Sequence, residues 1–506
     1  MASIDHALEP KTESEARFDR VRRRLGLALA PIAFTLIYLA EFAALKPEAH
    51  RLAAVMAAVI TLWITEALPL PATALIGAAA CVVLQVAPAK DVFAPFADPL
   101  IFLFIGSFIL ARAIFLHELD RRLAFSALSM SWVDARPSRI LFVFGAVTAF
   151  ISAWISNTAT TAMMFAIGMA ILAFFFRAEQ IAGRKIDRRY ATGLMLMTSF
   201  AASIGGLATP IGTPPNVIGL GFIRQLVGVE LSFFKWMAIG VPVVVLLFLF
   251  LFAYLNFFCP AGVGEIKGSG DALRRERESL GVWTRGQRST LIAFSVTILL
   301  WIMPGIVALV VGEKSALYQQ LNRSLPEGVA AIIGAALLFL LPGNGEKRAI
   351  SWDEAMRIDW GVILLYGGGF ALGVLSFQTG LAEAVGKGLT SLLPWTNGLG
   401  LLVASTLVAT IVSETTSNTA SANMVVPVVI AIARATGADP LEPALGATFG
   451  ASLGFMLPVS TPCNAIVYGS GYIPLMRMVR YGILLDIAGV VVIVTMVRLL
   501  TPLIRP

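Results

Sequence analysis

Two apolar stretches of this chain are interrupted by the same pair of polar motifs in the same order, and that duplication limits what it can fold into. The first copy has Ser156-Asn157-Thr158 within SNTATTAMM, followed by Thr213-Pro214-Pro215-Asn216 within PIGTPPNVI. The second has Ser417-Asn418-Thr419 within SNTASANMV, followed by Thr461-Pro462-Cys463-Asn464 within PVSTPCNAI. Each nine-residue pair shares five identities without a gap. Hydroxyls, amides, Gly and Pro inside apolar segments expose backbone polar groups at bilayer depth. Such backbone persists only where protein buries it or where it lines a cavity. Paired breaks in corresponding places of two halves point to the binding site of a transporter. Close packing of small residues would explain one such triplet. It does not explain two, each followed by a Thr-Pro-x-Asn break.

The composition fits a membrane protein. Of 506 residues, 58% are hydrophobic and only 14% charged, against about a quarter charged in soluble domains. The net charge of +7 would suggest nucleic acid in a soluble protein; here its distribution matters more, and no nucleic-acid partner is expected. Cys81, Cys259 and Cys463 have no metal or disulfide spacing. The polar opening run HALEPKTESEARFDRVRRR does not read as a cleaved leader.

Apolar stretches predict eleven spans, at 25–45, 51–68, 72–87, 99–116, 191–223, 237–258, 289–311, 328–342, 359–376, 444–470 and 481–500. Two further regions, 140–176 and 388–433, do not fit simple spans. Ile140 to Phe176 is 37 residues without a charge. As one helix it would be about 55 Å long, against a hydrocarbon core of about 30 Å. Arg136 and Arg139 precede it, and Arg177 and Arg184 follow. Two half-helices that enter and leave on one side, meeting at Ser156-Asn157-Thr158, satisfy these facts. The second region repeats the pattern around Ser417-Asn418-Thr419, with Glu414 as its only charge.

With the N-terminus in the cytoplasm and both hairpins re-entrant, 26 of the 38 basic residues fall on the cytoplasmic side, among them Lys11, Arg184, Lys185 and Lys267. The two halves are then inverted repeats. The helices before the hairpins also match, LFIGSF at 103–108 and LYGGGF at 365–370. The expected organisation is a cytoplasmic tail at 1–24, a first half at 25–258, a linker at 259–288 and a second half at 289–506. The linker reads as a solvated loop.

A half-helix that ends inside the membrane offers free N–H groups at its start or free C=O groups at its end. The first attract anions and the second cations, helped by the helix dipole. Asn157 and Asn418 add a carbonyl and an NH2 each, and the Ser and Thr hydroxyls suit either ligand. His6, His50 and His117 lie at the terminus or helix ends. Acids within apolar segments reduce to Glu66 and Glu414, with Glu66 expected at an interfacial helix end. A proton relay would need more, so an inorganic cation held by neutral oxygens is the better reading. No ATP-binding loop, zinc motif or nucleophile–base set is present, so the chain is not expected to be an enzyme, and a membrane enzyme or receptor is the outside reading.

WITEALPLPATAL at 63–75, FLFIGSF at 102–108, both Ser-Asn-Thr motifs, GTPPN and STPCN resemble the divalent anion:sodium symporter family over nearly the whole chain. The resemblance implies an all-α polytopic membrane protein of about eleven transmembrane helices plus two re-entrant hairpins, with scaffold and transport domains, elevator movement and a homodimer. It implies Na+ as coupling ion and a small dianionic substrate in the cell membrane of a bacterium. Carried over by motif, Ser152, Ser156, Asn157 and Gly212 hold one Na+, and Ser413, Thr416, Asn418 and Ser460 a second. The family has threonine at Ser413 and alanine at Thr416 and Ser460, so backbone carbonyls would ligate there. The substrate meets Ser156, Asn157, Thr158 and Thr213 on one side and Ser417, Asn418, Thr419 and Thr461 on the other, with Pro462 packing nearby. A C4-dicarboxylate symporter is expected, with a sulfate or citrate carrier, or a sodium-independent dicarboxylate exchanger, as alternatives.

Overall fold

Long apolar runs, broken by Pro and Gly, leave a chain little choice but helices of bilayer length and shorter ones between them. The computed structural model describes residues 13–505 apart from 43–44, 134–135, 183–185, 267–268 and 391–397. His6, Lys11, Arg184, Lys185 and Lys267, and the start of the second expected hairpin at 391–397, lie outside the described residues. Among the described residues the regular structure is helical, with one isolated bridge between Pro342 and Arg348. Nine of their helices are long and apolar enough to cross a membrane, or ten if a bent pair near 316–340 counts as one span.

The first half opens with α1 (Glu13–Leu39), α2 (Pro47–Thr65), α3 (Leu70–Val83) and α4 (Pro99–Leu116). The first hairpin follows as α5 (Pro137–Ser152) and α6 (Asn157–Ala182). The first broken helix is α7 (Arg189–Gly205) and α8 (Pro214–Phe222), and α9 (Phe233–Phe258) closes the half. Helix α1 thus begins inside the expected tail. The expected solvated loop contains a helix, α10 (Ser269–Ser279). That correction has a local cause: its run of Arg and Glu favours helix at every position, and Arg274 pairs with Asp271 at 3.1 Å.

The second half runs α11 (Arg285–Val311), α12 (Glu327–Leu340) and α13 (Trp360–Gln378). Then come the second hairpin, α14 (Gly398–Thr415) and α15 (Asn418–Ala435), and the second broken helix, α16 (Leu441–Gly450) and α17 (Pro462–Tyr468). Helix α18 (Leu475–Ile504) ends the bundle. Shorter helices connect these.

Packing pairs the halves in a crossed manner. In each half the first hairpin arm packs on the long arm of the broken helix, α5 on α7 and α14 on α16. The short arms cross over: α8 packs on the other half's hairpin arm α15, and α17 packs on α6. Phe200 meets Phe455 at 5.1 Å between ring centroids, and Trp236 meets Phe449 at 4.6 Å, so one apolar core runs through both. A smaller core joins α2, α3 and α13. Glu66 ends α2 in a left-handed conformation, φ 46°, and pairs with Arg22 at 2.5 Å, a helix end as expected.

Candidate functional site

The breaks are built the same way twice. Pro214 and Pro462 each stand at the first helical position, where a missing N–H costs nothing and φ is preset. The threonines before them are both extended, Thr213 at φ −146°, ψ 143° and Thr461 at φ −141°, ψ 150°. The unwound loops ahead of them are held by the motif asparagines. Asn216 Nδ2 donates to Gly206 O at 2.9 Å and Thr209 O at 2.8 Å. Asn464 Nδ2 donates to Gly454 O at 2.9 Å and Leu457 O at 3.0 Å. Each asparagine therefore reaches back ten and seven residues. Sequence reading gives these two asparagines no role, although their recurrence in both copies is the available signal.

The hairpin tips also match. Ser156 Oγ accepts from Ala159 N, and Ser417 Oγ from Ala420 N, both at 3.3 Å, so each serine caps the second arm of its hairpin. The first N–H groups of α6 and α15 are thereby aimed at the tips, where an anion is favoured. Ser152 Oγ donates to Asn157 Oδ1 at 2.7 Å, and Ser413 Oγ to Asn418 Oδ1 at 2.8 Å. The Ser-Asn-Thr residues of both tips keep partial exposure, whereas Thr213, Ser460 and Thr461 are buried and Pro462 is exposed.

The amide of Asn157 tests whether a cation fits. With its oxygen inward, Oδ1 faces two carbonyls, Gly212 O at 3.3 Å and Ala202 O at 3.2 Å, besides the Ser152 hydroxyl. Hydrogen bonding by itself favours the turned amide, whose nitrogen donates to both carbonyls. The turned amide donates to Ala202 O, Gly212 O and Ser152 Oγ, which brings Ser152, Asn157 and Gly212 together around one small polar site. The donor set fits a hard monovalent cation. In the second half Ser413 Oγ also lies 2.8 Å from Ala451 O, so its one proton serves either that carbonyl or Asn418 Oδ1. A Cβ on Gly454 would lie 3.5 Å from Asn418 Oδ1 and from Ser413 Oγ and 3.6 Å from Ser460 Cβ, which marks a small oxygen-lined cradle.

Two expected ligands turn their hydroxyls elsewhere. Thr416 Oγ1 donates back to Val412 O at 2.7 Å at the end of α14, which turns the hydroxyl toward its own helix. Ser460 Oγ points to Glu414, at 3.0 Å from its carbonyl and 2.6 Å from Oε2. Glu414 also accepts from Met456 N at 2.9 Å, so it braces the break loop of its own half.

The second break meets the first half. Ser199 Oγ donates to Asn464 Oδ1 at 2.5 Å, whereas Asn216 Oδ1 is buried without a partner. Cys463 is buried, and its helix α17 packs on α6, which sets the second break against the first hairpin. The reading that only Glu66 and Glu414 interrupt apolar segments needs correction. Asp486 lies in α18 and is buried, at 6% exposure. Asp486 falls inside the expected span 481–500, and an acid at such a place is itself a functional signal.

Residues 23–504 match the family described as the sodium:sulfate symporter transmembrane region. The chain is 33% identical over 497 residues to the sodium-dependent dicarboxylate transporter SdcS of Staphylococcus saprophyticus, covering 97% of this chain and 93% of that one. To SdcS of Staphylococcus aureus it is 32% identical over 489 residues, covering 95% and 91%. Among solved structures, the YdaH transporter of Alcanivorax borkumensis is similar with a TM-score of 0.52 at 12% identity, over 97% of this chain and 99% of that one. MtrF of Neisseria gonorrhoeae gives 0.53 at 12%, over 83% and 85%. At such identity the likeness concerns the fold alone.

Proposed function

The chain belongs to the divalent anion:sodium symporter family, and from that premise we propose that it couples Na+ entry to uptake of C4-dicarboxylates such as succinate, malate and fumarate. It is an integral membrane transporter and not an enzyme. The observation that carries the coupling is the polar cluster at the first tip, where the Asn157 amide lies 2.7 Å from the Ser152 hydroxyl and 3.2 and 3.3 Å from the carbonyls of Ala202 and Gly212. Two matching tips, each with hydroxyls and a capped helix start, suit a ligand with two anionic heads. No Arg stands in the motifs to clamp a carboxylate, so the bound cations supply the missing positive charge and affinity is modest. Sulfate, single-centred, would need both tips drawn together.

Movement is proposed to follow the packing. The hairpins, broken helices, α9 and α18 would travel as a transport domain against a scaffold of α1–α4 and α11–α13. Support comes from the seam: a Cβ on Gly369 or Gly373 of α13 would strike Asn423 or Phe222, so this face is smooth where the two bodies meet. The scaffold would hold a homodimer, and the N-terminus would be cytoplasmic, in a bacterial cell membrane. The three native cysteines are buried, which leaves a quiet background for labelling. Cysteine at Arg177 and at Thr436 should react from opposite sides, and labelling of both from one side would sink the inverted arrangement.

Uptake of radiolabelled succinate into proteoliposomes, with and without an inward Na+ gradient, tests the function. Sodium-driven uptake competed by malate and fumarate is the expected result. Gradient-independent exchange would overturn coupling, and stronger competition by sulfate or citrate would overturn the substrate.

A further inference from the structure

Two ion pairs between described residues cross from the proposed transport domain to the scaffold, on the face away from the linker. Helix α9 starts on that face and runs to the linker, and α11 leaves the linker and ends there. Just past α8, Arg224 in the wide π-helical turn Ile223–Val227 pairs with Asp98 at the start of α4. Near the start of α9, Lys235 Nζ meets Glu313 Oε1, just past α11, at 2.7 Å. Phe233 N donates to Glu327 Oε1 at 3.2 Å, and a Cβ on the next residue, Gly328, would touch Pro99 O, so the two pairs stand close together.

The scaffold side of the first pair is built in advance. Asp98 caps α4, accepting from Leu100 N at 2.9 Å, and it accepts from Tyr366 Oη of α13 at 3.2 Å. Those partners stay with the carboxylate wherever the transport domain goes, while the guanidinium is supplied by the other body. Gly221, one turn before Arg224, lets α8 lie close: a Cβ there would sit 2.5 Å from Tyr366 Oη. The Asp98 and Arg224 side chains are 8% and 25% exposed. Such a pair is shielded enough to be strong, and Arg224 keeps a route to water when it leaves.

The matching positions on the linker face are open. Gly240 and Gly482 correspond, since a Cβ on either would collide with the break-loop backbone of its own half, at Leu207 and at Phe455. Five residues earlier stand Lys235 and Arg477. Lys235 is paired, whereas Arg477 reaches Thr192 Oγ1 at 3.5 Å and no carboxylate among the described residues. Asp98 and Asp359 cap the helices that carry LFIGSF and LYGGGF. Asp359 accepts from Val362 N at 3.2 Å and pairs with no cation among the described residues. Links made on one face and open on the other belong to a body that stands to one side of its travel.

We infer that Arg224–Asp98, with Lys235–Glu313 beside it, is a latch that closes the face away from the linker and parts each time the transport domain crosses. This rests on the moving-domain reading proposed above.

Spin labels on Leu340→Cys of α12 and Met476→Cys of α18, both exposed on the linker face, read the distance between the two bodies in liposomes. The latched distance should dominate in the otherwise wild-type protein. Arg224→Gln should lower the ratio of latched to released molecules about tenfold, as expected of a half-buried pair. Lys235→Gln should lower it less, because the Glu313 side chain is 40% exposed. Wild-type populations in Arg224→Gln would overturn the latch, even if uptake were lost. Should Arg224→Gln fail to fold, Asp98→Asn takes its place with the same expected ratio, since asparagine keeps the helix cap. The distances need neither sodium nor substrate, so a shifted ratio without sodium-driven uptake would sink the coupling and leave the latch standing.

Discussion

The two tips share a motif and a backbone geometry, yet they sit in different electrostatic surroundings. Each has a capping serine, an asparagine tied to a serine five residues earlier, and a break loop stapled by a second asparagine. Around the first, everything is neutral: Ser152, the carbonyls of Ala202 and Gly212, then Ala153 and Val244 behind. Around the second stand Glu414 and Asp486. A duplicated motif thus fixes shape twice, while unduplicated neighbours decide charge. Selection on geometry and on ion affinity has separate handles here.

The largest expected effect is common to both tips. Asn157→Ala and Asn418→Ala each remove the oxygen that a cation would share with its hairpin serine. Each should weaken binding by about 1–3 kcal/mol, the penalty for a buried polar partner left unmet, and lower uptake at least about tenfold while the protein remains folded. Wild-type uptake by one variant and collapse in the other would break the equivalence of the tips.

Glycine comparisons should separate them. A Cβ on Gly206 would come within 2.5 Å of Asn157 Oδ1, so Gly206→Ala must displace that amide. Overpacking of this kind costs about 1–3 kcal/mol, and Na+ activation should fall accordingly. Gly454→Ala meets its neighbours at 3.5 Å or more, so its effect should be smaller and limited to the sodium concentration needed. Equal effects would show that the two cradles are equally tight.

The staples should differ by less. Asn464 makes one bond more than Asn216, from Ser199. Thermal melting in detergent should therefore find Asn464→Ala less stable than Asn216→Ala by about 1 kcal/mol, one ordinary hydrogen bond. Ser199→Ala alone should account for that gap, the smallest shift expected. A melting point for Asn216→Ala below that of Asn464→Ala would show that the orphaned oxygen of Asn216 has a partner, such as water.

Much of this was legible before any coordinates. Pro214 and Pro462 cannot donate a helical hydrogen bond, so the breaks were readable from residue type alone. The serines and asparagines of the tips were marked by recurrence at bilayer depth. Three things were not legible. Helix α10 was hidden because charged runs serve loops and helices equally well. The protons of the Thr416 and Ser460 hydroxyls turned out to be donated to Val412 O and Glu414. Asp486 was readable as an acid in an apolar span, but the placing of its helix against the second break loop was not.

Sequence by itself determined the class, an all-helical membrane protein, and the positions where its helices break. Those are local matters: apolar length against bilayer thickness, a ring that blocks an N–H, a hydroxyl that caps a helix. Only the tertiary structure decided who meets whom. It set α8 against α15 and α17 against α6, joined Ser199 to Asn464, and placed Asp486 beside Glu414 from helices far apart in the chain. The charge of a buried site depends on such meetings, because in low dielectric a carboxyl group answers to what touches it rather than to its neighbours in sequence.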